Sequence, residues 1–150
     1  MVLYIVSACF AGIKCRYDGR DNTDERVKRL VEEGKAVPVC PEVLGGLSIP
    51  RTPCEIIMNN DNIKVINKNG EDCTEKFLEG AKKTLAIAKV VGAKKAILKS
   101  KSPSCGNGKI YDGSFSGILT EGKGITAGLL LNNGIKVCTE KDLTEKELKI

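Results

Sequence analysis

The stretch VLYIVSAC, residues 2–9, predicts the architecture of this chain, because a short apolar run leads directly into a cysteine and a turn-rich loop. The same arrangement occurs twice more. Cys40 follows the apolar run 36–39, and Cys105 lies in the glycine-rich loop that follows the run 96–100. In an open α/β sheet, ligands bind beyond the carboxyl ends of the strands. We therefore expect these three cysteines to lie along one edge of a sheet, where they can share a metal centre.

Strand-like and helical segments alternate along the 150 residues, which predicts a single domain, 1–150, of the α/β class. The expected strands are 3–7, 37–39, 96–99 and 135–138, with a small hairpin formed by 56–57 and 65–66. The expected helices are 23–33, 74–91 with Thr74 as its N-cap, 125–132, and one that begins at Thr144 with a capping box to Glu147. The pattern indicates a three-layer Rossmann-like fold with a mostly parallel central sheet of about four strands plus the small hairpin.

Two long loops follow the second and third expected strands. The first, 40–55, contains too much glycine and proline to predict a helix, and the second, 102–117, is also rich in glycine. Long loops of this kind in compact domains tend to be functional. Pro38 indicates that the strand before the first loop is short or lies at an edge of the sheet.

Composition excludes several classes of site. The chain has no histidine, which removes Ser–His and Cys–His nucleophilic pairs, HExxH metalloprotease sites and Cys/His zinc fingers. Aromatic residues make up 4% of the chain, too few to suggest a stacking platform for single-stranded nucleic acid. The net charge of +5 is spread out with no basic tract, which is typical of a solvated surface. We expect no stable nucleic acid partner, and the oligomeric state stays open.

The seven cysteines indicate a reducing compartment, because their number is odd and no convincing secretory signal precedes them. The apolar run 2–13 lacks a basic start and is shorter than the ~18 residues of a membrane-spanning helix. We expect a cytoplasmic protein without a membrane partner, whose cysteines bind metal or act chemically. Several thiolates without histidine favour zinc or an iron–sulfur cluster.

Spacing alone does not select three of these cysteines. Cys138 also ends an expected strand, although no loop of the same type surrounds it. Cys15 lies six residues after Cys9 and is expected near the site as a supporting or redox thiol. Cys54 and Cys73 lie in polar contexts and are expected to be incidental. A buried cysteine at a strand end is also compatible with a small apolar side chain that has no chemical role.

A set of short motifs carries a resemblance to a known family. The motifs are VSAC at 6–9, CRYDG at 15–19, CPE at 40–42, GGL at 45–47, PR at 50–51, SPSCG at 102–106 and YDGxFxG at 111–117. As a set they resemble the DUF523 family of thiouracil desulfurases, and the match extends to about Cys138. The chain has no counterpart of the DUF1722 domain of longer relatives that act on tRNA. The resemblance therefore implies a free thiolated uracil base, nucleoside or nucleotide as substrate.

The resemblance also implies a cofactor and two catalytic residues. The cofactor is a 4Fe–4S cluster held by Cys9, Cys40 and Cys105, with an open iron that binds the substrate sulfur. Glu42 is implied as the base that activates water, and Ser102 as a group that bonds the ring or relays a proton. The cluster is expected to be lost from protein prepared in air. The residues expected to contact substrate are Arg16, Asp18, Arg51, Ser104, Gly106 and Asp112.

Simpler roles and other functions stay open at this point. Glu42 can cap a helix or pair with Arg51, and Ser102 can simply begin a Ser-Pro turn. A non-enzymatic zinc- or nucleotide-binding module would use the same thiols. A thiol redox protein would use Cys9 and Cys15, although this pair lacks the C-x-x-C spacing of thioredoxin-like proteins. We expect non-redox desulfuration of thiolated uracils as the function.

Overall fold

Four short parallel strands form the central sheet in the computed structural model, which describes residues 1–144 and 148. In chain order the elements are β1 (Tyr4–Ser7), α1 (Glu25–Glu32), β2 (Ala36–Val39), α2 (Pro41–Leu44), β3 (Cys54–Asn59), β4 (Asn62–Asn67), α3 (Thr74–Val91), β5 (Lys95–Leu98), β6 (Asn107–Tyr111), β7 (Leu119–Lys123), α4 (Ile125–Asn132) and β8 (Lys136–Thr139). The sheet order is β2-β1-β5-β8, and every neighbouring pair is parallel. The predicted α/β class is therefore confirmed.

Both faces of the sheet are covered, which gives three layers. Val6 of β1 packs in one apolar cluster with Leu30 of α1, whereas its neighbour Ile5 packs in a second cluster with Ala88 of α3 and Ala127 of α4. Successive side chains of a strand point to opposite faces. A strand buried on both faces is apolar throughout rather than alternating, and this explains the continuous apolar run at the start of the chain.

The predicted helices and edge strand are largely confirmed. Helices α3 and α4 have the predicted bounds, and β2 lies at the edge of the sheet, as its proline indicates. The predicted N-cap of α3 is wrong by one residue. Cys73 is the N-cap, because the Thr74 hydroxyl accepts the backbone N–H of Val65 at 2.9 Å and ties α3 to the first hairpin. No described helix is long and apolar enough to cross a membrane.

The two long loops contain structure that the sequence did not predict. The first contains the helical turn α2, which starts at Pro41, a favourable first position for proline. Gly45 ends this turn, and a Cβ there would collide with the carbonyl oxygen of Lys76 in α3. The second contains β6, which pairs with β7 in an antiparallel hairpin. The helix predicted from Thr144, with its capping box, lies outside the described residues.

Candidate active site

A cavity of about 570 Å³ lies at the carboxyl edge of the central sheet. Its walls come from the segments after β1, β2 and β5 and from the two hairpins. Cys9, Cys40 and Cys105 all line it. The fold thus brings together the three cysteines that follow the strand-like runs of the sequence. Cavities of this size hold small organic ligands.

Cys9 lies in a single turn of 3-10 helix, Ala8–Ala11, directly after β1. The Nδ2 atom of Asn22 donates a hydrogen bond to the Cys9 sulfur at 3.6 Å, and Arg16 Nη1 holds Asn22 through its Oδ1 at 2.7 Å. Burial raises the pKa of the Cys9 thiol, and the bond from Asn22 offsets this in part. Asn22 also lines the cavity. Nothing in the sequence pointed to Asn22, because an asparagine within a polar turn carries no signal of its own.

Cys40 follows β2 and is the N-cap of α2. The Cys40 thiol donates a hydrogen bond to the backbone carbonyl oxygen of Cys15 at 3.7 Å. The neighbouring Cys15 thiol lowers the pKa of Cys40 to about 7, against the effect of burial. The same contact raises the pKa of Cys15, and burial raises it further. Cys15 lines the cavity as well. It therefore lies beside the site, where it supports the sulfur of Cys40.

Cys105 lies in the loop after β5 and is buried. The Ser102 hydroxyl oxygen accepts the backbone N–H groups of Ser104 at 3.0 Å and of Cys105 at 3.1 Å. Burial raises the pKa of Cys105 to about 12, although a hydrogen bond with Ser7 acts in the opposite direction. Ser102 lines the cavity, and a hydroxyl that accepts two hydrogen bonds can still donate one. Ser102 therefore shapes the turn and faces the cavity.

Glu42 and Arg51 form an ion pair in the cavity wall. The Glu42 Oε2 atom accepts Arg51 Nε and Nη2, each at 2.9 Å. The exposed fractions are 7% for the Arg51 side chain and 18% for that of Glu42. Arg51 is itself fixed, because its Nη1 donates to the Ser48 carbonyl oxygen at 3.2 Å and its backbone N–H to that of Tyr17 at 2.8 Å. The carboxylate is thus held in one orientation between solvent and the three thiols.

Two of the six expected substrate contacts, Arg16 and Arg51, line the cavity. Arg16 forms an ion pair with Asp18 at 3.1 Å, and its guanidinium lies 5.7 Å from the ring centre of Tyr17. Asp18 is outside the cavity lining and orients Arg16 from behind.

The other three expected contacts also lie outside the cavity lining. The Ser104 hydroxyl is buried and shares a hydrogen bond with that of Thr126 at 3.0 Å. Gly106 packs so closely against Ser102 that a Cβ would meet its carbonyl oxygen. Asp112 is exposed and accepts the backbone N–H of Ser114 at 2.9 Å. These residues shape the loop and the turn rather than the cavity surface.

The first hairpin contributes to the cavity in a way that the sequence did not predict. Cys54 of β3 was expected to be incidental, but it lines the cavity because the hairpin folds over the sheet edge. Burial and the neighbouring thiol of Cys73 together raise the pKa of Cys54 to about 12. Cys73 and Cys138 do not line the cavity. Lys99, also in the wall, forms an ion pair with Glu140 at 2.9 Å.

The donor set in the cavity suits a thiolate-bound cluster. Thiolates are the ligands of iron–sulfur clusters and also bind zinc. Among residues 1–144 and 148, no group of three or more Cys, Asp or Glu converges as ligands of a single metal ion. A structural zinc site needs four ligands around one point, whereas the thiolates of a four-iron cluster each bind a different iron. Three separated thiols around one cavity therefore fit a cluster better than a single ion.

Comparisons with known proteins give a consistent result. The model of the 2-thiouracil desulfurase family matches residues 4–142. The uncharacterised protein YbbK of Bacillus subtilis (strain 168) is 48% identical over 149 residues, which cover 95% of this chain and 99% of that protein. Among solved structures, a 4Fe-4S-dependent thiouracil desulfidase, TudS, has a TM-score of 0.88 and 40% sequence identity. That similarity covers 99% of this chain and 97% of the other.

Proposed function

Because this chain belongs to the 2-thiouracil desulfurase family, we propose that it is a 4Fe–4S enzyme that removes sulfur from thiolated uracil bases, nucleosides or nucleotides. The resemblance to this family, inferred from the motifs, is confirmed. The observation that carries the proposal is the meeting of Cys9, Cys40 and Cys105 around one cavity. The family assignment favours an enzyme over a zinc- or nucleotide-binding module.

The three cysteines hold the cluster in this proposal. A cluster bound by these three thiolates would supply an open iron, a Lewis acid toward the substrate sulfur that would make the ring carbon more electrophilic. The reaction exchanges the thiocarbonyl sulfur for the oxygen of water and releases hydrogen sulfide, without a net change in oxidation state. Water supplies the oxygen and two protons, so the atoms balance without a further reactant.

Glu42 is the proposed general base. Arg51 holds its Oε2, so Oε1 is the atom that takes a proton from water as the water oxygen attacks the ring carbon. The same carboxyl then gives that proton to the departing sulfur. As the ring carbonyl forms, the carboxylate takes the remaining hydroxyl proton and passes it to the released sulfide, which leaves as hydrogen sulfide, and the carboxylate is restored. Two hydrogen bonds from a buried guanidinium hold Oε2, and this leaves Oε1 as the oxygen that is not engaged by Arg51.

Ser102 is the proposed second catalytic residue. Its oxygen already accepts two backbone N–H groups, so the hydroxyl hydrogen is free to point into the cavity. There it donates to the substrate ring or passes a proton along.

The substrate is a small thiolated pyrimidine. We further propose that the enzyme acts in the cytoplasm, since all seven cysteines are free thiols, as in a reducing compartment.

The test is a sulfide-release assay on protein reconstituted without oxygen, with thiouracil, thiouridine and thiouridine monophosphate as substrates. We expect sulfide from at least one of them, and loss of both iron and activity in Cys9→Ser, Cys40→Ser and Cys105→Ser. Cys73→Ser is the matched control, because this thiol lies outside the cavity lining and should leave both unchanged. Full iron content in all three single variants would overturn the ligand assignment.

A further inference from the structure

A buried carboxylate in the cavity wall has no part in the reaction proposed above. Glu55 of β3 lines the cavity and is only 8% exposed. Its Oε1 accepts the backbone N–H of Gly113 at 2.9 Å and that of Phe115 at 3.2 Å. Hydrogen bonds to an ionised acceptor are stronger than neutral ones. Glu55 therefore fastens the tip of the second hairpin to the first.

The backbone at this tip adopts conformations that need such support. Phe115 has a φ of 56°, in the left-handed region that residues other than glycine adopt at a cost. Gly113 has a φ of 94°, and a Cβ there would lie 2.8 Å from the carbonyl oxygen of Ile56. Such conformations persist only where the surroundings impose them. Glu55 and the close packing of Gly113 together hold the tip of the hairpin in this backbone conformation.

The aromatic residues of the chain divide cleanly between core and cavity. The sequence has three phenylalanines and three tyrosines. Three of the six are buried in the core, namely Tyr4, Phe10 and Phe77. The other three line the cavity, namely Tyr17, Tyr111 and Phe115. Among these three, only Phe115 has no polar group on its ring. It offers a flat apolar surface in a wall that also carries charged side chains such as Glu42, Arg51 and Lys99.

We propose that Phe115 contacts the pyrimidine ring of the substrate and that Glu55 is the positioning residue that holds Phe115 in place. This inference rests on the proposed function, since the ligand is the thiolated pyrimidine of that reaction. A planar heterocycle gains about 1–3 kcal/mol per base from stacking on an aromatic side chain. Fixing the tip of the hairpin beforehand removes the cost of ordering it when substrate binds.

The test compares Glu55→Ala, Glu55→Gln and Phe115→Leu in the cluster-loaded enzyme. We expect Glu55→Ala and Phe115→Leu to raise KM for thiouracil about 10-fold, with kcat changed less than about 3-fold and iron content unchanged. Glu55→Gln keeps an oxygen that can accept both N–H groups, so its KM should stay within about 3-fold of wild type. Glu121→Gln is the matched control, because this exposed carboxylate pairs with Lys109 on the same hairpin.

Amide hydrogen exchange separates the positioning role from a general structural one. Glu55→Ala should speed exchange of the Gly113 and Phe115 amides about 10-fold, whereas Phe115→Leu should leave the Gly113 amide protected. The inference would be overturned if Phe115→Leu left KM unchanged. It would also be overturned if Glu55→Ala lost iron, kcat and amide exchange protection over the whole protein. A wild-type enzyme that releases no sulfide from any thiolated uracil and binds none by calorimetry would overturn the proposed function as well.

Discussion

The two loops at the carboxyl edge of the sheet each bring a cysteine to the cavity, but they are built differently. The loop after β2 contains a helical turn and an ion pair close in sequence, and it is also held by Cys15, Tyr17 and Lys76. Its cysteine caps a helical turn, and Glu42 pairs with Arg51 only nine residues away. The loop after β5 contains no helical turn of this kind, and it combines the local turn at Ser102 with more distant partners. Cys105 hydrogen-bonds with Ser7, and Glu55 anchors the tip of the hairpin that begins in this loop.

The pKa values of the two cysteine thiols differ as well. The neighbouring Cys15 thiol lowers the pKa of Cys40 to about 7, whereas burial raises that of Cys105 to about 12. Metal binding requires the thiolate form of each ligand. The first loop therefore offers a thiolate near neutral pH, and the second offers a shielded sulfur that must lose its proton when metal binds. The first loop thus supplies the more acidic thiol, and the second loop supplies the more buried one.

The largest effect is expected where the first loop supplies chemistry. Glu42→Gln removes the proposed base while keeping a side chain of the same size that can still contact Arg51. We expect kcat for sulfide release to fall by about 10² to 10⁴, the usual contribution of a general base, with iron content unchanged. Glu75→Gln, in the first turn of α3, is the control and should retain wild-type kcat. A wild-type kcat in Glu42→Gln would rule out this base.

The contrast between the two thiols can be tested in metal-free protein. Alkylation requires the thiolate, so Cys40 should react with iodoacetamide at a rate that rises to a plateau as the pH passes about 7. Cys105 should react at least about 100-fold more slowly at pH 7, because both its raised pKa and its burial oppose reaction. Mass spectrometry of the labelled peptides measures both rates.

Cys15→Ala sharpens this test, because it removes the group that stabilises the Cys40 thiolate. The reactivity midpoint of Cys40 should then move to higher pH, while Cys105 stays unreactive. Equal alkylation rates for Cys40 and Cys105 in wild-type protein would contradict the proposed contrast between the loops.

The distinction between local and distant contacts also explains which features could be predicted from the sequence. The alternation of strands and helices, the bounds of α3 and α4 and the edge position of β2 all follow from local apolar spacing and from glycine and proline. The ion pair of Glu42 with Arg51 can also be expected from the sequence, because both residues lie in one loop. Local signals therefore predicted the strands that lead into the cavity and the contact between these two side chains.

Apart from the helical turn α2, the unpredicted parts are those that depend on distant contacts. In β6 only Ile110 is buried, so the alternation that marks a strand is weak. Cys54 and Glu55 reach the cavity only because the first hairpin folds over the sheet edge. Asn22 acquires its role from the sulfur of Cys9, 13 residues earlier. None of these residue types carries a local signal, because each becomes significant only in the folded chain.

A smaller effect is expected from Arg51→Met, which leaves the Glu42 carboxylate in the wall without its partner. Removing one member of a fully buried pair costs about 3–5 kcal/mol. Because Glu42 is 18% exposed and water can reach it, we expect the free energy of unfolding to fall by about 2 kcal/mol. Urea denaturation measures this value. Lys109→Met breaks an exposed ion pair and should change it by less than about 0.5 kcal/mol.

The smallest effect is expected in the second loop, from Ser102→Ala. The substitution removes the acceptor of two backbone N–H groups, so we expect the free energy of unfolding to fall by about 1 kcal/mol. Ser48→Ala, in the first loop, removes an exposed hydrogen bond to the Pro50 carbonyl oxygen and is the matched control.

If the Ser102 hydroxyl only shapes the turn, kcat should follow iron content, since the turn places Cys105. A drop in kcat of about 10-fold or more at full iron content assigns a direct role in the reaction to this hydroxyl, because a structural role would not change turnover by the loaded enzyme.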